Sequence, residues 1–393
     1  MMKRKVFCVL LLLFLLIPFG CPSLFASATT NSEAEEQILE DIDARLEDID
    51  LSSLQEYYEE NVSFESFSLD SLKDVLMGLI SGEVKLGFDE IINLVVASLK
   101  PNIASVLKLV CLIVIIAGFG AFSEMLQSQK EKSGVGSVVS LIILMAVLSI
   151  ATTIIADFAS ETISLLKGMS DLSVKIFPIL VSMVVVLGGT NVGASIQPAI
   201  VFLTNGVISV ISSLSSFAVI SYFVLSVVGE LTDNIKLDKL KSLVSSIYKW
   251  AIGLIFTVFM GYMSINGIVG SGRDGLTIKT AKYALKNYIP MVGGYLSDSY
   301  ELFRVGSELI KNSVGVVGVV LLFGMVIKKV VTLGVYKLGF MLASGITEPF
   351  GTKKITRFLS SLSTLFNFLI VGIVASFLMI VITIFILMSV VGA

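Results

Sequence analysis

Residues 271–312 read SGRDGLTIKTAKYALKNYIPMVGGYLSDSYELFRVGSELIKN, and apolar runs long enough to enter a bilayer stand on either side of them. The stretch carries charges of both signs, Pro290 and the pair Gly293-Gly294. Most connections between elements are far shorter, so the segment reads as the working middle of the chain rather than a tether. Its flanks decide the fold class. The chain has 393 residues, 55% of them hydrophobic and 15% charged, whereas soluble domains carry about 25% charged residues. The apolar runs do not alternate, which excludes barrel strands, and several approach the length of a membrane helix. The expected fold is all-α: a polytopic helical membrane protein of about 6–8 spans after a signal peptide.

Upstream of the central stretch the chain begins with the three-part secretory pattern. Residues 1–28 have a basic start (Lys3, Arg4, Lys5), an apolar core from Val6 to Phe19 and the small-residue site Ala26-Ser27-Ala28. An uncleaved first span is the alternative. Residues 29–99 form an acidic leader with amphipathic helices, expected outside the cytoplasm; positions 29–74 alone hold fifteen Asp/Glu against two Lys/Arg. It reads as a solvated leader or a docking helix for a partner. Pro101 is expected to reset the chain before two spans in 100–163, near Ala104–Phe122 and Val135–Ile155, joined by a loop whose Lys130 and Lys132 place it in the cytoplasm.

Asp157–Lys175 reads as an amphipathic connector, followed by Ile176–Leu187, too short to cross alone and therefore a short span or a re-entrant piece. Ile200–Val228 is one tilted helix or a hairpin of two. Asp233–Lys249 is a basic amphipathic helix ahead of a span that starts at Trp250. Beyond the central stretch, Val314–Ile346 is broken by Lys328-Lys329, and Leu365–Val391 closes the chain. A shift of 115 residues lays Leu231-Thr232-Asp233 over Ile346-Thr347-Glu348 and Leu243-Val244-Ser245-Ser246-Ile247 over Phe358-Leu359-Ser360-Ser361-Leu362. This reads as a duplicated unit, about 164–270 and 276–388, the second copy lying with the polar connector in 271–393, parallel or inverted, with short or re-entrant helices; chance self-matching of apolar sequence is the competing explanation.

Chemistry is sparsely represented. The chain contains no histidine, which removes Ser-His-Asp catalysis and the usual zinc sites. No phosphate loop of the G-x-x-x-x-G-K-[ST] kind occurs, and no basic cluster on a soluble domain points to nucleic acid. No catalytic, metal or cofactor residue is assigned, and the chain is not expected to be an enzyme. The candidates for lining a path or docking a partner are Asp274, Lys282, Pro290, Gly293, Gly294, Ser297, Asp298, Lys328 and Lys329. Asp274-Gly275 suits a turn before a helix, Pro290 a helix end, Gly293-Gly294 a bend, and Ser297 or Asp298 a cap. Lys328 and Lys329 mark a turn between two short helices, or else line a watery path or meet an acid such as Glu230 or Glu348.

The motifs Asp274-Gly275-Leu276, Thr280-Ala281-Lys282, Ile289-Pro290 with Val292-Gly293-Gly294, Leu296-Ser297-Asp298, and Lys311-Asn312 leading to Gly315 and Gly318 resemble the stage III sporulation protein AE family of endospore-forming bacteria. The signal peptide, acidic leader and repeated spans match as well. The resemblance implies a mother-cell membrane component of the assembly that bridges the two membranes around the forespore, with a channel or feeding role and a requirement in forespore development. It implies the other stage III A proteins and stage II sporulation protein Q as partners, in a multi-subunit complex embedded in lipid. It carries over no catalytic residue. The alternative is an independent ion-coupled secondary transporter with its site between the two repeats.

Overall fold

The computed structural model describes residues 72–81, 88–127, 135–187, 198, 200, 202–232, 236–288, 293–350 and 353–389; at 88–91, 94, 121, 123–127, 135–138, 140, 204–205, 264–288, 293–304 and 350 it describes the backbone course without the side chains. The described residues form seven helices and no strand: α1 Leu72–Ile80, α2 Phe88–Gln127, α3 Val135–Val186, α4 Ile208–Leu231, α5 Asp238–Tyr288, α6 Gly293–Thr347 and α7 Lys353–Ser389. Six of these, α2 to α7, are long and apolar enough to cross a membrane. Helices answer the constraint that lipid sets, because each satisfies its own backbone donors and acceptors along its length. The chain is a polytopic helical membrane protein.

The helices run longer and with fewer breaks than local signals suggest. Pro101 lies inside α2, where Asn102 Nδ2 donates to Ser98 O at 2.6 Å and to Thr332 Oγ1 of α6 at 2.9 Å. A mid-helix proline costs about 3 kcal/mol in water, yet neighbouring polar groups make it tolerable in membrane helices. Asp157–Lys175 and Ile176–Val186 are continuous parts of the 52-residue α3, with Pro178 inside it; the Gly188–Gly193 segment lies outside the described residues. Ile200–Val228 resolves to one helix, α4, entered through a π-helical turn at Phe202–Val207. At 1.5 Å per residue α3 and α6 extend to about 80 Å, well beyond a hydrocarbon core of about 30 Å.

The helices α6 and α7 form the centre. Their most apolar windows are 72% buried, against 22–33% for the other four. Packing around them is tight because small residues admit neighbours: a Cβ at Gly315 of α6 would stand 2.5 Å from Met388 Sδ of α7, and one at Gly318 would stand 2.7 Å from Ile176 Cδ1 of α3. Edge-on aromatic contacts continue the seam, with Phe158 of α3 against Tyr336 of α6 at 4.6 Å and Phe366 of α7 at 5.7 Å.

Cross-contacts fix the directions. Thr332 meets Asn102 and Gly339 faces Val106 and Val110, so α2 runs parallel to α6. Gly318 faces Ile176 and Lys329 pairs with Glu161, so α3 runs antiparallel to it. Glu230, at the end of α4, faces Arg357, at the start of α7. The C-terminal ends of α2, α4 and α6 and the N-terminal ends of α3, α5 and α7 therefore gather at one end of the bundle, the tip end. The hairpins α4–α5 and α6–α7 point the same way, which decides between the parallel and inverted arrangements for any repeat that contains them.

Candidate functional site

Four sets of polar groups inside the bundle have cross-helix partners among the described residues. The tip end holds the first group. Glu230 is 3% exposed, and its Oε2 lies 3.2 Å from Arg357 Nη2 but receives no hydrogen bond among the described residues. Arg357 stays mostly in the open, so a shielded carboxylate faces a solvated guanidinium across the two hairpins. Beside it, Ser344 Oγ donates to Thr356 O at 2.9 Å, tying α6 to α7 just before the chain turns. Lys241 and Asp238, one turn apart on α5, pair at 2.9 Å.

Deeper in, a hydroxyl relay links three helices. Tyr248 of α5 donates to Phe368 O of α7 at 2.6 Å and accepts from Ser215 Oγ of α4 at 2.9 Å, whose single proton is shared with Ile211 O at 2.7 Å. Gly372 of α7 faces this pair, and a Cβ there would stand 2.6 Å from Ser215 Oγ and 3.1 Å from Tyr248 OH. Serine hydroxyls inside membrane helices otherwise bond to their own preceding turn, as Ser226 does to Tyr222 O.

Midway along α6, Lys329 pairs with Glu161 of α3 and its ammonium lies 4.8 Å from the centre of the Phe158 ring, a cation–π distance. The expected turn at Lys328-Lys329 is absent, because both lysines lie inside continuous α6. A lysine is a good helix former, and Lys329 has its charge matched from α3. Its partner is Glu161, whereas Glu230 faces Arg357. Lys328 is exposed. At the opposite end of the bundle, Lys311 is fully buried and donates to Met388 O at 2.7 Å. The last carbonyls of α7 lack partners within the helix, and the positive charge suits the negative end of its dipole.

The remaining candidates are placed by helix course alone. Asp274 and Lys282 lie within α5, which runs unbroken through Asp274-Gly275 to Tyr288, so no turn opens there. One glycine in a helix costs only about 1 kcal/mol, and good helix formers follow it to Lys286. Pro290 falls outside the described residues, two beyond the end of α5. Gly293 and Gly294 begin α6, and Ser297 and Asp298 sit past its first turn, inside the helix and not at its cap. Of the nine candidates, only Lys329 is brought to a polar partner among the described side chains. Glu161, Tyr248 and Lys311 were not among the candidates, and Arg357 was legible only as a basic residue, with Lys353 and Lys354, on an amphipathic helix. Of those three, Lys311 alone carried a signal, as part of the Lys311-Asn312 motif. Among the described residues no cluster of three or more His, Cys, Asp or Glu is placed to hold a metal ion.

A bundle of long apolar helices, with charges paired across helices, defines an integral membrane protein whose interior is built for packing. A family model described as stage III sporulation protein AE matches residues 71–391. The chain belongs to that family. It is 27% identical over 287 residues, 72% of its own length and 71% of the relative's, to the stage III sporulation protein AE of Bacillus subtilis (strain 168). No solved structure matches.

Proposed function

We propose that the chain is a non-catalytic integral membrane subunit of a sporulation channel or transport complex that links mother cell and forespore and is required for forespore development. The observation that carries this reading is the family match, which extends over residues 71–391 and so over every described helix. In this reading the chain lies in the mother-cell membrane around the forespore and works with other stage III A proteins and stage II sporulation protein Q. Orientation follows from charge. Lys236, Lys239, Lys241, Lys353, Lys354 and Arg357 stand beside the short connections at the tip end, and we place that end in the cytoplasm by the positive-inside tendency, with Arg273, Lys279, Lys282 and Lys286 on the far half of α5 counting against it. The start of α2 and the end of α7 then face the intermembrane space, as does the acidic leader.

Affinity purification of the full chain from sporulating cells tests the reading. The proposed partner proteins should co-purify, and the purified chain alone should move no solute in liposomes. Recovery of a lone protein that is active by itself overturns the subunit assignment. An ion-coupled carrier is the second reading, favoured by the shielded Glu230 between two hairpins, since ionisable groups at membrane depth commonly serve transport. Flux in liposomes that depends on an ion gradient and is abolished by Glu230→Gln would establish it.

A further inference from the structure

The outward side of α3 differs in kind from that of α5. Ser149, Thr153, Asp157, Ser160, Ser164 and Lys167 are exposed and recur every three or four residues, which draws one polar stripe along the helix. Among the described residues no large apolar side chain of α3 is exposed between Met145 and Val174. Heights along the bundle come from α7. Phe158 of α3 packs against Phe366 at 5.7 Å and Tyr248 of α5 against Phe368 at 5.1 Å, so Phe158 and Tyr248 stand at nearly one height. Both helices run away from the tip end, which sets Thr153 level with Leu243, Asp157 with Ile247, Ser164 with Leu254 and Lys167 with Thr257. Leu243, Ile247, Trp250, Leu254 and Val258 are each more than half exposed, an apolar side fit for lipid. The charge in that run is Lys249, whose long stem can carry its head toward an interface.

Two helices of one bundle therefore show opposite surfaces at the same depth. Ionisable groups at membrane depth are costly against hydrocarbon and almost always face a bundle interior or a water-filled space. Asp157 and Lys167 lie level with the apolar run of α5, yet on the outside of the bundle. Glu161 beside them is held by Lys329 of α6. The hydroxyls decide less, because Thr153 Oγ1 donates to Ser149 O at 3.3 Å within its own helix. Sliding the bilayer along the bundle does not free the stripe. From Ala146 to Asp171 of α3 it extends about 38 Å at 1.5 Å per residue, more than a hydrocarbon core of about 30 Å, and the exposed leucines of α5 stand level with its middle. A protein wall pressed on the stripe would have to match each charge, whereas water solvates acid and lysine alike.

We propose that the outward stripe of α3 lines an aqueous path for a hydrophilic solute, closed by neighbouring subunits of the assembly. The inference rests on the subunit reading, because a face one helix wide, about 10 Å, cannot enclose a path alone. The test uses the full chain in membranes of sporulating cells, permeabilised so that an impermeant maleimide reaches both sides. In a chain with Cys8, Cys21 and Cys111 replaced by serine, Thr153→Cys, Asp157→Cys and Ser164→Cys are compared with Leu243→Cys, Ile247→Cys and Leu254→Cys. All six positions are exposed, so the exchanges should leave folding intact. The α3 set should react about tenfold faster or more, since a thiol in apolar surroundings keeps less of its reactive thiolate. Equal rates within the pairs overturn the proposal: all slow sets α3 against lipid, and all fast sets both helices outside the bilayer. Fast reaction at Ser164→Cys alone also overturns it, because α3 then merely leaves the membrane. Partner recovery from the same membranes keeps the two readings apart. Slow α3 cysteines with partners bound sink the path alone, whereas fast α3 cysteines with no partner bound sink the subunit reading and leave a water-facing stripe.

Discussion

Tyr248 shows how much a single hydroxyl can organise. It is 3% exposed and joins α4 to α7 through Ser215 and Phe368 O. Interhelical hydrogen bonds in membrane proteins contribute about 0.6 kcal/mol on average and up to about 1.7, so Tyr248→Phe should lower stability by about 1 kcal/mol in a detergent thermal melt. Gly372→Ala should cost more, about 1–3 kcal/mol, because its methyl would arrive 2.6 Å from Ser215 Oγ. Ser215→Ala in the same chain should recover part of that loss, a non-additivity expected of touching residues. Equal melting temperatures for Gly372→Ala and the parent chain would show that the relay has room to spare. Lys311 acts differently. Its ammonium caps α7 from α6, so Lys311→Met should speed amide hydrogen exchange in the last turn of α7 while leaving the centre of that helix protected. Unchanged exchange there would deny the cap.

Among the elements, the tip contact between Glu230 and Arg357 carries the sharpest expectation. Removing one member of a shielded pair leaves the other unmatched, a loss of up to about 3–5 kcal/mol when both are buried. Arg357 is mostly solvated, so Arg357→Gln should fall well short of that, and adding Glu230→Gln should restore most of what is lost. If the double variant is no more stable than Arg357→Gln alone, the two hairpins are not coupled through this pair. The same scale explains what the sequence made legible. Helix class and the apolar spans followed from composition and run length, which are local properties. Continuity did not, because Pro101, Asp274-Gly275 and Lys328-Lys329 all carry local break signals. At two of them a distant partner packs against the break: Thr332 holds Asn102 beside Pro101, and Glu161 with Phe158 holds Lys329. Such pairings across well over a hundred residues leave no periodic trace, so the candidate site was legible only at Lys329 and through the motif that contains Lys311.

For the whole molecule, the arrangement of six apolar helices makes a single topological statement: the turning ends of α2–α3, α4–α5 and α6–α7 share one side. Each direction rests on an independent contact, α2 on Asn102 and Thr332, α3 on Glu161 and Lys329, and α4 on Glu230 and Arg357. Cysteine labelling can check it. In a chain with Cys8, Cys21 and Cys111 replaced by serine, single cysteines at the exposed positions Lys236, Lys353 and Ser389 report the tip end twice and the far end once. With a membrane-impermeant maleimide on protoplasts of non-sporulating cells that express the chain, whose outer face corresponds to the intermembrane side, positions 236 and 353 should both be protected, and position 389 should react. The lysine-rich tips argue for that sense, since positive residues remain in the cytoplasm. Reaction at both tip positions with protection at 389 would invert the molecule but keep its hairpins parallel. Reaction at only one of the two would break the parallel arrangement itself.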